Sequence, residues 1–399
     1  MPPKNPATHA PERRRIALLI ESSLGSGREM LRGFAEYVRQ TSHWSIYYEP
    51  SHSHSQSVLP EWLDNWHGDG IIARVRNRNV AKKLIKMGIP VVDVLGNVHD
   101  TGIPVVGVDN RAIARAAAGH LLEHGFRAFA YCGVLGPSWS QTRRDVFKET
   151  VTRSGYTSYH YLLPRLGGKA WISETERERL TQWIASLPKP IGIMAANDWA
   201  GQKVLEACRR AVAMVPEEVA VVGVDNDAAF CEICDPMLSS VVARHDRVGF
   251  YAAELLDQLM QGKPAPTEPL TVGQPSVVVR RSTDVQTIAD RDIAEAVRYI
   301  REHAYGEISV EDVAAHVALS YSTLKRRFQQ VLSRTIHDEI KRVRMARTRE
   351  LLTETSMTLA QIAQLTGLRH QEYLGVVFKA EMGVTPSQFR EENQSPHVG

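Results

Sequence analysis

The chain is expected to fold as a two-lobed α/β domain followed by an all-helical domain carrying two helix-turn-helix units. Three observations lead there. Short apolar runs alternate with amphipathic stretches from Ile16 to Val279, the tetrapeptide Gly-Val-Asp-Asn recurs at 107–110 and 223–226, and one helix-pair pattern is written twice in the last hundred residues.

A length of 399 residues exceeds one ordinary core, so two or three domains are expected. The apolar content suits soluble globular domains. Only four cysteines are present, with no apolar leader and no run of about 18 apolar residues. This argues against secretion and membrane insertion and makes the cytoplasm the default. A formal net charge of +3 says little about nucleic acid, and the distribution of charge along the chain says more.

Residues 1–14, rich in Pro and Ala and running into Arg13-Arg14-Arg15, read as a disordered arm. Ile16–Ile20, Gly70–Val75, Pro90–Leu95, Val105–Val108, Ala128–Cys132, Ile191–Ala195 and Val219–Val224 read as strands. Glu29–Gln40, Arg111–Gly125 and Trp199–Val212 lie between them as amphipathic helices, the alternation of parallel sheets. Residues 15–284 suffice for two such lobes. The repeated Gly-Val-Asp-Asn puts Asp109 and Asp225 at the carboxyl edges of strands, where open α/β sheets bind ligands. The same carboxylates also suit capping of the next helix or turn. The Pro-rich segment 262–270 breaks a helix ending near Met260 and precedes a strand, Ser276–Val279. Strand patterns then stop, which places a linker at 285–290, a helical domain at 291–392 and a tail at 393–399.

The first copy of the helix pair spans Ser309–Phe328 and the second Thr358–Phe378. Val310, Val313, Ala314 and Leu319 match Leu359, Ile362, Ala363 and Leu368; after a slightly longer second turn, Leu324 and Phe328 match Leu374 and Phe378. The copies differ most on the face the second helix would turn to a partner. In a helix-turn-helix that face enters the major groove of DNA. The first copy offers it Ser322, Lys325, Arg326 and Gln329, and the second Arg369, His370, Gln371, Glu372 and Val376, residue types that reach base edges or phosphates. Between the copies, Thr335–Leu352 reads as a stiff helix with Ile336, Ile340, Val343 and Ala346 on one face. Its length of about 27 Å suits two recognition helices in successive major grooves about 34 Å apart. Lys325, Arg326, Arg327, Arg334, Lys341, Arg342, Arg344, Arg347 and Arg349 make this region locally basic.

Residues 308–390 resemble the DNA-binding domain of the AraC/XylS family, most specifically in the ending Phe378-Lys-Ala-Glu-Met-Gly-Val-Thr-Pro-Ser-Gln-Phe-Arg390. Many members carry a base-reading Arg in the second recognition helix, where this chain has Val376 beside Gly375. The α/β portion resembles the sugar-binding domain of LacI/GalR-type repressors, itself similar to periplasmic sugar-binding proteins. The matching stretches are Val106-Gly-Val-Asp-Asn110, His120-Leu-Leu-Glu-His-Gly125, Asn197-Asp-Trp-Ala-Gly201, Val215–Asp225 and Val279–Thr283. The usual amino-terminal DNA-binding domain of that family is absent, and the pairing of the two halves resembles the regulators of bacterial xylose operons. The resemblance implies a sugar-responsive transcription regulator, an activator of pentose (xylose) utilisation that acts as a homodimer on DNA and works with RNA polymerase. A repressor, or a regulator answering another small molecule, is the alternative it leaves open. It implies sugar contacts from Arg143, in the pattern Arg-x-x-x-aromatic ending at Phe147, from Asn197 or Asp198, and from Asp225. Glu21 and Trp139 are further candidates, with core or capping roles open to both.

Other chemistries find less support. Gly25-Ser-Gly27 after a strand, with Glu49 ending the next, imitates a dinucleotide fingerprint, but Met30 stands where the third glycine belongs. A nicotinamide-dependent enzyme is therefore a remote alternative. Cys231-Glu-Ile-Cys234 has no second Cys or His pair at metal-binding spacing, so reduced cysteines are expected. His52-Ser-His54 lies in a Ser-rich loop and reads as solvated. No nucleophile elbow or phosphate loop appears. No catalytic residue, metal or cofactor is expected.

Overall fold

The structure, a computed structural model, describes residues 13–41, 44–50, 59–96, 98, 100–164, 172–284, 290–332, 334–355, 357–368 and 370–393. The chain divides into two compact units, Met1–Val285 and Gln286–Gly399.

The first unit contains two six-stranded sheets. One holds β1 (Arg14–Leu19), β2 (Trp44–Tyr48), β3 (Gly70–Ala73), β4 (Val91–Val94) and β5 (Val105–Val108). The other holds β6 (Ala128–Val134), β7 (Thr157–Leu163), β8 (Ile191–Ala195), β9 (Val219–Val224) and β10 (Ser239–Val242). Two short late strands, β11 (Leu270–Val272) and β12 (Ser276–Val278), complete them, giving orders β11-β5-β4-β3-β1-β2 and β12-β10-β9-β8-β6-β7. Every pairing is parallel except β10 with β12. The central strands β8 and β9 are buried along their whole length, as parallel strands covered by helices on both faces must be.

The covering helices are α1 (Gly25–Thr41), α2 (Arg78–Lys86), α3 (Asn110–Glu123), α4 (Ser138–Arg153), α5 (Glu174–Ser186), α6 (Asp198–Arg210), α7 (Ala228–Glu232) and α8 (His245–Met260). The chain changes lobe three times. After β5, α3 packs on β8, β9 and β10 of the second sheet; after β10, α8 returns to lie on β3, β4, β5 and α1; and β11 leads back into β12. The α1–α8 packing brings backbones into contact. A Cβ on Gly33 would stand 1.7 Å from the Asp246 carbonyl oxygen, and one on Gly249 would stand 1.9 Å from that of Met30. Met30, which breaks the dinucleotide pattern, is a fully buried core residue at this contact.

The second unit is all helix: α9 (Arg291–His303), α10 (Val310–His316), α11 (Tyr321–Leu332), α12 (Ile336–Glu354), α13 (Leu359–Leu365), α14 (Gln371–Met382) and α15 (Pro386–Asn393). Duplication is visible in its chemistry. Ser309 with Asp312 opens α10, and Thr358 with Gln361 opens α13, each as a reciprocal capping box. Leu324, Phe328, Leu374, Phe378, Val313, Ala314, Ile362 and Ala363 are buried in matching positions. Residues 317–320 connect the first pair and 366–370 the second, each turn using one left-handed residue, Ala318 (φ 53°) and Gly367 (φ 69°).

Several sequence expectations are corrected. β1 begins at Arg14, so that residue belongs to the sheet and not to the arm; residues 1–12 lie outside the described set. Asp290 is the N-cap of α9, and 285–289 and 394–399 lie outside the described residues. The strand expected at Ser276–Val279 stops at Val278, and that expected at Ala128–Cys132 runs on to Val134. The long helix extends to Glu354; Ile336, Ile340 and Val343 are buried as expected, but Met345 and Thr348 are buried where Ala346 is only half-buried. β7, β10 and β11 were not legible as apolar runs. β7 and β11 are half-exposed edge strands, and β10 begins with Ser239 and Ser240, buried because their hydroxyls are hydrogen-bonded.

Candidate functional site

The carboxyl ends of the strands in the second lobe gather one cluster of charge. Asp225 follows β9 in an unusual backbone conformation, φ 106°, and Asn226 after it has φ 52°. Two successive non-glycine residues at positive φ mark a backbone held by its surroundings. Here the Asp225 amide donates to the Val241 carbonyl at 3.0 Å, and the Asp225 carboxylate pairs with His245 Nε2, at the start of α8, at 3.1 Å. Arg143 on α4 is buried. It donates from Nε to Asn110 Oδ1 at 2.9 Å and from Nη1 to the Ala196 carbonyl at 2.5 Å. Both asparagines of the repeated tetrapeptide therefore accept from an arginine, since Arg280 Nη1 donates to Asn226 Oδ1 at 2.9 Å.

The two aspartates are driven apart in acidity. Enclosure opposes the charge of Asp225, but the His245 hydrogen bond and the charges of His245, Arg143 and Arg74 outweigh it, holding the carboxyl below its usual range. Asp198, at the start of α6, goes the other way. Burial, reinforced by the charge of Asp225, pushes it up to about 7, although Ser240 Oγ donates to it at 2.5 Å and the Asp227 amide at 2.9 Å. Burial also lowers the affinity of Arg143 for its proton, with the Asp225 charge opposing.

The first lobe supplies a facing group. Glu21, fully buried after β1, accepts through Oε1 from Arg74 and Arg76, which follow β3. Glu21 Oε2, Arg74 Nε and His245 Nδ1 have no hydrogen-bond partner among the described residues. Buried polar atoms left open in this way call for a partner of another kind. The charge of Arg74 adds to those of His245 and Arg143 in lowering the Asp225 carboxyl. At the same edge Arg28 pairs with Asp227 at 2.8 Å, joining the lobes.

The structure thus brings Glu21, Arg143, Asp198 and Asp225 together and adds Arg74 and His245, which sequence reasoning missed. Arg74 carried a signal, three arginines at 74, 76 and 78 just past a strand; His245 did not, because β10 before it went unread. Other candidates have structural duties. Asp109 Oδ1 caps α3, accepting from the amides of Arg111 and Ala112 at 2.9 Å each, and Asn197 Oδ1 caps α6, accepting from Ala200 at 2.9 Å. Trp139 has the Arg143 guanidinium 5.0 Å from its ring centroid. The four cysteines are buried and unbridged, and among the described residues no His, Cys, Asp or Glu cluster could hold a metal. No described helix is long and apolar enough to cross a membrane. His52 and His54 lie outside the described residues.

In the second unit, burial of Leu324 and Phe328 leaves Ser322, Lys325, Arg326 and Gln329 exposed on α11. Burial of Leu374 and Phe378 likewise leaves Gln371, Glu372 and Val376 exposed on α14; His370 is its N-cap, and Arg369 lies outside the described residues. The local basic surplus is smaller than the sequence suggests. Arg327 forks onto Asp290 and Asp292, Arg334 and Arg342 converge on buried Glu339, Lys341 pairs with Glu381 at 2.7 Å, and Arg344 donates to the carbonyls of Ala304 and Gly306. Lys325 and Arg326 make no ion pair among the described residues.

Comparison with known proteins agrees with this division. Residues 15–110 match the XylR N-terminal domain, 118–283 the periplasmic binding protein-like domain and 313–392 a helix-turn-helix domain. A periplasmic binding protein-like domain followed by that module defines a sugar-binding, DNA-binding transcription regulator. The xylose operon regulatory protein of Escherichia coli (strain K12) is 30% identical over 96% of this chain and 98% of its own length. That of Haemophilus influenzae (strain ATCC 51907 / DSM 11121 / KW20 / Rd) is 30% identical over 94% and 98%. A solved structure of the xylose-binding transcription activator xylR has a TM-score of 0.84 at 29% identity, covering 96% of this chain and all of that one. The chain belongs to the family of xylose operon regulatory proteins. This is a family of transcription regulators, not of enzymes, and the nicotinamide alternative falls with that.

Proposed function

We propose that the chain is a xylose-responsive activator of pentose-utilisation genes, acting in the cytoplasm as a homodimer that engages RNA polymerase at its DNA site. The observation that carries this reading is likeness along both units to relatives named for the xylose operon. The cleft chemistry supports it. Asp225 and Glu21 accept from sugar hydroxyls, Arg143 and Arg74 donate to them, and ionic groups make the stronger hydrogen bonds. Asp198 is a further sugar contact beside Asp225, and Trp139 covers one sugar face. Asp109 and Asn197 shape the rim through the helices they cap. A sugar touching both clusters favours the closed arrangement of the lobes, with a coupling to DNA binding of about 1–3 kcal/mol. On the DNA side, Ser322, Lys325, Arg326 and Gln329 read the first half-site, and Arg369, His370, Gln371 and Glu372 flank the second.

Thermal unfolding of the full chain against a panel of pentoses and hexoses tests the effector. Xylose at a hundred times its Kd is expected to stabilise the native state by about 2.7 kcal/mol. A response to a hexose and none to xylose would replace the effector and leave the class of protein standing. Transcription from a promoter carrying the bound site, with and without xylose, separates activator from repressor.

A further inference from the structure

The two recognition helices share a scaffold and differ in the chemistry at its centre. In an α-helix successive residues turn by about 100°, so the residue midway between two core residues four apart points directly away from the core. On α11 the core pair is Leu324 and Phe328, and the midway residue is Arg326; on α14 the pair is Leu374 and Phe378, and the midway residue is Val376. Val376 is 69% exposed. Tyr373, one turn before it at 54%, extends the same apolar stripe. Next to Val376, a Cβ on Gly375 would meet nothing within 4 Å, which leaves this face bare enough for its backbone to approach a partner closely. An apolar residue at the centre of a groove-facing helix has one distinctive base feature to meet in the major groove, the 5-methyl group of thymine.

We propose that Val376 is a specificity-determining residue that reads a thymine methyl in the second half-site, while Arg326, at the equivalent place, reads its half-site by hydrogen bonding. This rests on DNA binding by the helix-turn-helix units. It makes the regulator a two-chemistry reader: one helix selects by donors, the other by a methyl contact that excludes cytosine and uracil.

The test starts with selection of binding sites from a random DNA pool by the full chain in the presence of xylose, followed by replacement of each thymine in the selected site by deoxyuridine, which deletes only the methyl. The wild type is expected to lose affinity about fourfold, the worth of one buried methyl group, at one thymine outside the base pairs relaxed by Arg326→Ala. In Val376→Ala that penalty disappears while the other positions keep theirs, and Val376→Arg shifts the preferred base there from thymine towards guanine. An enriched site with no thymine whose methyl dependence vanishes in Val376→Ala overturns the proposal alone. A Val376→Ala variant with unchanged site and affinity but lost activation does so too, and gives the stripe to a protein partner. A pool that yields no enriched site with xylose or with any other sugar that stabilises the chain overturns DNA binding itself.

Discussion

Among single residues, Asp225 has the most to say about the cleft. Its backbone is held at positive φ, and its carboxylate stays charged beside His245 and Arg143. Asp225→Ala is expected to weaken sugar binding roughly tenfold to a hundredfold, the worth of hydrogen bonds to a charged group. Calorimetry reads this directly, and DNA affinity without sugar stays unchanged. Asp93 on β4 is the opposite kind of acid. It is fully buried, accepts from the Val75 amide at 2.9 Å through Oδ1, and leaves Oδ2 with no hydrogen-bond partner among the described residues. Burial raises its pKa from 3.8 to about 7 against the pull of the Val75 amide and Arg74. The fold therefore prefers the protonated acid. Its contribution is fully present below pH 3.8 and is lost as pH rises through about 7, at a cost of at most about 4 kcal/mol. Asp93→Asn keeps the acceptor for Val75 and cannot ionise, so thermal melts are expected to show it more stable than wild type at pH 8, with a flatter profile between pH 4 and 7.

At the scale of elements, the two helix-turn-helix turns differ in how they meet the left-handed residue their geometry needs. Gly367 supplies it without strain, and a Cβ there would stand 2.8 Å from the Ala304 carbonyl oxygen. Ala318 occupies the equivalent conformation at a cost of about 1 kcal/mol. Ala318→Gly is expected to stabilise the helical unit by up to that amount, and Gly367→Ala to destabilise it by more than that, both measured by denaturant unfolding. Legibility in the sequence followed the same physics. Elements with a continuous apolar run or a period of 3.6, such as β8, β9 and α12, were readable because burial writes itself into hydrophobicity. β10 was not, since Ser239 and Ser240 reach the core through hydrogen bonds that no local pattern announces. With β10 went His245, and so part of the cleft. The basic stretch after α11 was legible as charge but not as pairing: the acids that neutralise Arg327 lie at 290 and 292, far away in sequence.

Across the first unit, Arg74 belongs to one lobe and adds its charge to those that hold the Asp225 carboxyl of the other low. It also pairs with fully buried Glu21. Arg74→Met is expected to cost about 3 kcal/mol, since it removes one partner of a buried charge and leaves only Arg76. It is also expected to abolish sugar-induced stabilisation, read by thermal unfolding with and without xylose. The Arg28–Asp227 pair at the same edge is half-exposed, and Arg28→Ala is expected to change stability by less than about 1 kcal/mol in the same melts.

The three crossings between lobes have a consequence for how the chain comes into being. The first sheet is begun at Arg14 but gains its edge strand β11 only at Leu270, and α1 waits for α8 to cover it. Neither lobe is a contiguous piece of sequence, so neither can complete itself while the ribosome is still making the other. A nascent chain halted before residue 245 carries the bare flank of α1 and exposed sheet surface, a state that invites chaperones and proteases. The helical unit follows last, so the DNA-reading end emerges from the ribosome only after both lobes have been synthesised.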